Sequence, residues 1–295
     1  RDSDNPEAFR AAVTEKTRAI FVESLANPGG VIVDLEAIAK IAQEAEVPLI
    51  VDNTMATPWL CRPFEWGADL VVHSTTKFLS GQGNAMGGIV IDSGRFPWFG
   101  NAKYPSLSEP CPDYNGLTFA ETFGDLAFTL YSHAVSLRDL GCTQSPMNAW
   151  ITLNGVETLP LRMERHVENA QKVAGFLQQH PSVEWVSYAG LSSSPYYQLA
   201  QKYLQGKAGS VFTFGIRGGY ESGLRLLEKV ELFSHVSNIG DSRSLILHPA
   251  STTHRQLSDE QRLTAGAGPE VIRLSVGIES AEDLIADLEQ ALEGL

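Results

Sequence analysis

The fold is decided by residues 69–77, Asp69-Leu-Val-Val-His-Ser-Thr-Thr-Lys77, where a short apolar run ends in hydroxyl side chains and a lysine. A similar run, Pro48-Leu-Ile-Val51, ends in Asp52, and Gly87-Gly-Ile-Val-Ile91 is a third. Continuous apolar runs of this length are typical of strands buried on both faces. Between the strands, Asp34 precedes apolar residues at helical spacing, which predicts a capped helix. The pattern predicts an α/β fold with a largely parallel sheet.

The rest of the chain divides into two parts of different character. A loop-like stretch over 93–116 is followed by a helical region up to residue 180, and strands reappear after Pro181. We expect a large domain over 1–156 and a smaller C-terminal α/β domain over 157–295. The remaining predicted elements are helices over 6–16, 221–230 and 280–292, strands over 18–23, 183–186, 211–216 and 271–276, a turn at 27–30, and helix breaks at Gly141, Pro146, Asn154-Gly155 and Pro160.

Composition excludes several classes of protein. The 295 residues carry 35 acidic and 22 basic side chains, a net charge of −13, which argues against a nucleic-acid binder. The apolar runs are too short to span a bilayer. Three cysteines, Cys61, Cys111 and Cys142, are widely separated, so we expect buried free thiols in a cytoplasmic protein. The seven histidines show no metal-ligand spacing, so no metal site is predicted.

Lys77 and Asp52 are the first candidate catalytic residues. Each follows or ends a predicted strand, and ligands of open α/β sheets bind beyond the carboxyl ends of the strands. A desolvated lysine forms Schiff bases with carbonyls, and Ser74 and Thr76 offer hydroxyls that could hold a phosphate nearby. By its position alone Lys77 would be a surface lysine, and Asp52 alone could be a helix cap or metal ligand. Together they are the lysine and carboxylate that pyridoxal phosphate (PLP) chemistry requires.

Arg273 is a candidate for binding a carboxylate. In Val271-Ile-Arg-Leu-Ser-Val276, strand alternation places Arg273 and Ser275 on one face and the apolar residues on the other. An arginine in an apolar strand is costly unless it is paired, and a carboxylate is its natural bidentate partner. An internal salt bridge is the alternative.

Four motifs in chain order resemble one known family. Glu23-Ser-Leu-Ala-Asn-Pro-Gly29, Val51-Asp-Asn-Thr54, His73-Ser-Thr-Thr-Lys77 and Arg273-Leu-Ser-Val-Gly-Ile-Glu279 are similar to motifs of the Cys/Met-metabolism PLP enzymes, the cystathionine γ-synthase group. Pro105-Ser-Leu-Ser-Glu-Pro110 and the helical segment 161–170 resemble the O-acetylhomoserine sulfhydrylase branch most. The resemblance covers nearly the whole chain and implies the type I fold of PLP-dependent transferases, which is aspartate-aminotransferase-like.

The resemblance also implies roles for individual residues. Lys77 matches the lysine that binds the cofactor covalently, and Asp52 the partner of the pyridinium nitrogen. Ser74 and Thr76 match phosphate-binding hydroxyls. Asn27 matches the asparagine that contacts both the cofactor's phenolic oxygen and the substrate. Arg273 matches the arginine that binds the substrate carboxylate, and Ser244 matches a neighbour of that arginine.

The activity implied is γ-replacement on O-acetylhomoserine by sulfide or a small thiol, giving homocysteine or methionine and acetate. Cystathionine γ-synthase, O-succinylhomoserine sulfhydrylase, a γ-lyase of the same family, and a non-catalytic α/β binding protein remain alternatives. Family members carry a sizeable N-terminal part before the segment that matches here, so we expect upstream residues to be missing from the chain. Homotetramers with active sites shared across a dimer are also implied.

Overall fold

The structure, a computed structural model, describes residues 4–295 as two sheets surrounded by helices. The strands are β1 Ile20–Glu23, β2 Leu49–Asp52, β3 Leu70–Ser74, β4 Gly88–Asp92, β5 Val183–Ser187, β6 Val211–Ile216, β7 Ser234–His235, β8 Leu245–Leu247 and β9 Val271–Ser275. The helices are α1 Pro6–Ala12, α2 Leu35–Glu44, α3 Thr57–Leu60, α4 Pro105–Ser108, α5 Phe119–Phe123, α6 Ala127–Tyr131, α7 Arg138–Leu140, α8 Pro146–Glu157, α9 Leu159–Gln179, α10 Tyr197–Tyr203, α11 Gly219–Lys229, α12 Asp259–Thr264 and α13 Ala281–Leu292.

The first sheet has the order β1-β2-β3-β4 and is largely parallel, as predicted. β1, β2 and β3 run in the same direction, and β4 returns antiparallel to β3. The carboxyl ends of β1, β2 and β3 therefore lie at one edge of the sheet, where Glu23, Asp52 and Ser74 end their strands.

The second sheet has the order β5-β6-β9-β8-β7 and is mostly antiparallel; of its pairs within residues 4–295, only β7 with β8 is parallel. The first sheet lies wholly before residue 156 and the second wholly after it. One continuous buried apolar core nevertheless contains residues of both sheets and of α9. The boundary near residue 156 therefore stays a prediction.

Helix starts follow the capping residues in the sequence. The Asp34 carboxylate accepts the backbone N–H of Ala37 at 3.2 Å at the start of α2, as predicted. Ser280 caps α13 by accepting the N–H of Asp283 at 3.3 Å. α1 begins at Pro6 as predicted but ends at Ala12, because Val13 already has extended backbone angles.

One expectation about the middle of the chain is wrong. The break at Asn154-Gly155 does not exist, since α8 continues through both residues to Glu157. The stretch over 93–116 is largely loop, as expected, but it contains the short helix α4 and contributes to a second apolar cluster. The buried members of that cluster are Phe96, Trp98, Leu107, Phe119, Ala120 and Ala127.

Two further properties concern helix length and the cysteines. Within the described part of the chain, no helix is both long and apolar enough to cross a membrane. The cysteines are unpaired, as expected, but only Cys61 is buried, and Cys142 is exposed.

Candidate active site

Lys77 lies in a short, wide helical turn, Thr75–Leu79, that follows β3 directly. Its own backbone angles, φ −92° and ψ −127°, are not helical, so the chain bends at the lysine. The Lys77 Nζ donates a hydrogen bond to Asn238 Oδ1. Partial burial, with a smaller contribution from the positive charge of Arg273, lowers the Lys77 pKa below its ordinary value. A lowered pKa makes the neutral, nucleophilic amine more accessible near neutral pH.

Arg273 is buried in β9 between β6 and β8, with only 8% of its surface exposed. Its guanidinium donates to the backbone oxygens of Ser237 and Asn238 at 3.0 and 3.1 Å, and to Asn27 Oδ1 at 3.4 Å. Among residues 4–295, no carboxylate lies within 4.0 Å of it, so the alternative of an internal salt bridge is wrong. A buried guanidinium with only neutral partners is ready to bind an external carboxylate.

Asn27 connects Arg273 to the end of β1. The backbone N–H of Asn27 donates to Glu23 Oε2 at 3.0 Å, and its side-chain oxygen accepts the Arg273 bond. In the sheet register Glu23 lies directly beside Asp52. Burial, and to a smaller extent the charge of Asp52, raises the Glu23 pKa above the ordinary glutamate value. Asn27, Glu23 and Asp52 thus form the wall of the site at the strand ends.

Asp52 and Ser74 are joined through the residues between β2 and β3. The Asp52 carboxylate accepts the N–H of Thr54 at 2.9 Å, and Thr54 Oγ1 accepts the N–H of Ser74 at 2.8 Å. His73 is buried with its Nδ1 unpartnered among the described residues, and burial lowers its pKa, against the opposing charge of Asp52. These contacts hold the ends of the two strands in register.

The two predicted phosphate-binding hydroxyls differ. Thr76 Oγ1 donates to the backbone oxygen of Gly87 at 3.3 Å and accepts its N–H at 3.1 Å. The Ser74 hydroxyl, by contrast, is half-buried and makes no hydrogen bond within the described chain. Ser74 is therefore the more available donor of the two.

Ser244 does not lie in this group. It is fully buried, its hydroxyl donates to Glu279 Oε2 at 2.9 Å, and Ser244 Oγ accepts the N–H of Gly277 at 2.8 Å. Both capacities of the hydroxyl are used to hold the start of β8 against the end of β9. We therefore leave Ser244 out of the proposed site.

Asn238 is the site residue that sequence reasoning missed. Its side chain accepts the Lys77 bond and its backbone oxygen accepts one from Arg273, so it bridges the two basic side chains. It is 161 residues from Lys77 in the chain and follows β7, a two-residue strand. No motif or periodicity marks it, so only the folded chain could identify it.

The group fits PLP. A half-buried amine can react with a cofactor aldehyde, and a carboxylate at a neighbouring strand end can accept the N–H of a pyridinium. An unused hydroxyl can donate to a phosphate, and an unpaired guanidinium can donate to an amino-acid carboxylate. Within residues 4–295, no group of His, Cys, Asp and Glu is arranged to hold a metal ion.

Comparison with known proteins agrees with this chemistry. The family model of "Cys/Met metabolism PLP-dependent enzyme" matches residues 1–293. An O-acetyl-L-homoserine sulfhydrylase of Leptospira meyeri is 50% identical over 303 residues, covering 100% of this chain and 68% of the relative. O-acetyl-L-homoserine sulfhydrylase 1 of Thermus thermophilus is 51% identical, covering 98% and 69%. A homocysteine synthase of Schizosaccharomyces pombe is 45% identical, covering 99% and 68%.

A crystal structure shares the fold. It is that of a Campylobacter jejuni protein assigned as a putative O-acetylhomoserine (thiol)-lyase, with a pyridoxyl-lysine phosphate at one position. The TM-score is 0.95 at 42% identity, and the match covers 99% of this chain and 70% of that one. The expected α/β type I fold is thus confirmed, and the chain belongs to the Cys/Met-metabolism family of PLP-dependent enzymes.

Proposed function

We propose that the chain catalyses γ-replacement on O-acetylhomoserine, in which sulfide or a small thiol displaces acetate and homocysteine or methionine forms. The observation that carries the proposal is the half-buried Lys77 beside the unpaired guanidinium of Arg273, bridged by Asn238. The names of the relatives, which are sulfhydrylases and a homocysteine synthase at 45–51% identity, support the choice of reaction.

Five residues would hold the cofactor: Lys77 at its aldehyde carbon, Asp52 at its ring nitrogen, Ser74 and Thr76 at its phosphate, and Asn27 at its phenolic oxygen. When bound, PLP supplies an electron sink that stabilises negative charge at the substrate Cα.

The binding of the substrate and the transfer of protons are carried out by side chains of this chain. Arg273 orients the substrate by binding its carboxylate, with Asn27 against the same guanidinium. Lys77 Nζ takes protons from the substrate and returns them, because its lowered pKa suits a group that must alternate between base and acid. Asn238 Oδ1 accepts an N–H of Lys77 and so keeps the amine directed at one place.

Two measurements test the function. Purified protein is assayed with acetyl- and succinyl-homoserine, each with sulfide and with cysteine. We expect the acetyl ester with sulfide to have the highest kcat/KM. Preference for the succinyl ester or for cysteine would assign one of the other γ-enzymes, and elimination without an added thiol would assign a γ-lyase.

The Lys77→Ala variant tests the cofactor site. We expect loss of the visible absorption band of the bound cofactor and a fall in kcat of about 10³-fold or more. A protein that stays colourless with added PLP, or a variant that keeps the band, would instead favour a non-catalytic binding protein with this fold.

We further propose a homotetramer with active sites shared across a dimer. The support is a row of apolar side chains on α8, where Met147, Trp150 and Leu153 are each more than 60% exposed. Sedimentation equilibrium should give the mass of four chains, and a monomer would contradict the proposal.

A cytoplasmic location is consistent with three unpaired cysteines, one of them exposed.

A further inference from the structure

Arg162, in the first turn of α9, has an unusual set of partners. Its Nη1 donates to the backbone oxygen of Phe78 at 2.8 Å, and its Nη2 donates to that of Gly155 at 2.7 Å and, more weakly, to that of Leu79 at 3.4 Å. Its Nε donates to Thr158 Oγ1 at 3.2 Å. No acidic side chain of the described chain lies within 4.0 Å of this guanidinium.

The partners of Arg162 show what the guanidinium does. Two are carbonyls of the residues immediately after Lys77, at the end of the turn Thr75–Leu79, and one is a carbonyl of α8. Burial lowers the pKa of Arg162, and no acidic side chain of the described residues offsets that cost. Carbonyl dipoles at the end of a helical turn attract a cation, and these oxygens supply the compensation.

Two glycines permit this close contact. A Cβ on Gly81 would lie 2.4 Å from Arg162 Nη1, and a Cβ on Gly155 would lie 2.3 Å from the backbone oxygen of Leu79. Any other residue at either position would push the guanidinium or α8 away from the turn. The backbone just after Lys77 is therefore held by α8 and α9 together.

A second contact with α9 also holds the turn Thr75–Leu79. The ring of Phe78 packs edge-to-face on His166, one helical turn after Arg162, with centroids 5.3 Å apart. Within residues 4–295 the Lys77 side chain makes a single hydrogen bond, to Asn238, so its place depends on the backbone that carries it.

We propose that Arg162 is a positioning residue for Lys77: by binding the carbonyl oxygens of Phe78 and Leu79, it fixes where the lysine amine meets the cofactor and the substrate. The inference rests on the proposed function in that Lys77 is the lysine that reacts. Arg162 touches neither Arg273 nor Asn27, so it acts on the geometry of the amine and not on substrate binding.

The test uses the holoenzyme of Arg162→Met, Arg162→Lys and Arg165→Met. Arg165 lies on the same helix, is exposed, and serves as the matched control. For Arg162→Met we expect kcat to fall by about 10- to 100-fold, because a misplacement of about 1 Å costs that much, with KM changed less than about threefold. The pH midpoint of the visible band should shift by about half a unit or more, since the environment of the lysine nitrogen changes.

Arg162→Lys should show an intermediate loss of kcat, because the lysine ammonium can reach one carbonyl oxygen where the arginine guanidinium reaches several. Arg165→Met should match the parent enzyme. If both Arg162 variants lower the unfolding temperature but keep the parental kcat and pH midpoint, Arg162 is only structural and the proposal is overturned. If Arg162→Met does not fold, the kcat of folded Arg162→Lys decides in the same way.

The two proposals fail differently. Unchanged behaviour of the Arg162 variants leaves the loss of the band in Lys77→Ala intact. A Lys77→Ala variant that keeps its band would overturn the proposed function whatever Arg162 does.

Discussion

Glu23 was not among the predicted site residues, but it contacts Asn27, which was. Its carboxylate accepts the backbone N–H of Asn27, whose side chain in turn contacts Arg273. The strand register places Glu23 beside Asp52, and burial and that neighbour raise its pKa. Glu23 therefore both holds the Asn27 loop and changes charge at a higher pH than an ordinary glutamate.

Replacing Glu23 separates these two roles. Glu23→Ala removes the acceptor of the Asn27 N–H, so we expect KM for the acylated homoserine to rise about tenfold, roughly the 1.4 kcal/mol of one hydrogen bond to a charged group. Glu23→Gln keeps an acceptor oxygen and should raise KM less than about threefold.

The pH profile of the same variants checks the raised pKa. The parental kcat/KM should decline towards acid pH with a limb from protonation of Glu23, at a midpoint above the ordinary glutamate value. Glu23→Gln is neutral at every pH, so this limb should be absent from its profile. A Gln variant with an unchanged acid limb would remove Glu23 from the titration.

At this scale the sequence was informative where strand ends carry the chemistry. Asp52 ends β2, Lys77 and Asn27 follow β3 and β1, and parallel strands bring such ends together. Asn238 could not be predicted, because its place beside Lys77 depends on how a distant loop packs. The role expected of Ser244 stays a prediction, because its hydroxyl is fully occupied by hydrogen bonds to Glu279 and Gly277.

At the scale of elements, α8 depends on a glycine that looked like a helix break. Gly155 lies inside the helix, and its missing side chain lets α8 contact the backbone oxygens of Leu79 and Ser80. Local propensity favours a break there, and tertiary packing overrides it. Asp287 of α13 is likewise placed by tertiary packing: it is buried, and its carboxylate accepts three backbone N–H groups of residues 231–233.

Alanine substitutions test the packing role of Gly155. In Gly155→Ala the added Cβ would meet Leu79 and Ser80 backbone atoms within 2.3–2.8 Å, so we expect the free energy of unfolding to fall by about 1–3 kcal/mol. Gly175, inside α9, has nothing within 4 Å of its would-be Cβ. Gly175→Ala should therefore stabilise the protein by up to about 1 kcal/mol. Urea unfolding measures both, and equal effects of the two substitutions would argue against the close contact.

At the scale of the whole molecule, His166 joins the long helix α9 to both halves of the chain. Its ring packs on Phe78 beside the first sheet, and its Nδ1 donates to the backbone oxygen of Val276 at 2.7 Å, just after β9. The ring is fully buried, and Nε2 has no partner within the described chain. Burial, aided by the charge of Arg162, lowers the His166 pKa to about 4 despite the Val276 bond.

This buried neutral histidine makes global stability depend on pH. The unfolded chain binds the proton near the ordinary value of 6.5 and the folded chain only near 4, so stability is full above pH 6.5 and is lost as pH falls. Between pH 7.5 and 5 we expect the free energy of unfolding to drop by about 2 kcal/mol from this group. His166→Gln should abolish that part of the drop, and the exposed His133→Gln should retain it. Urea unfolding at both pH values, at fixed protein and PLP concentrations, measures the difference; an unchanged drop in His166→Gln would place the acid sensitivity elsewhere.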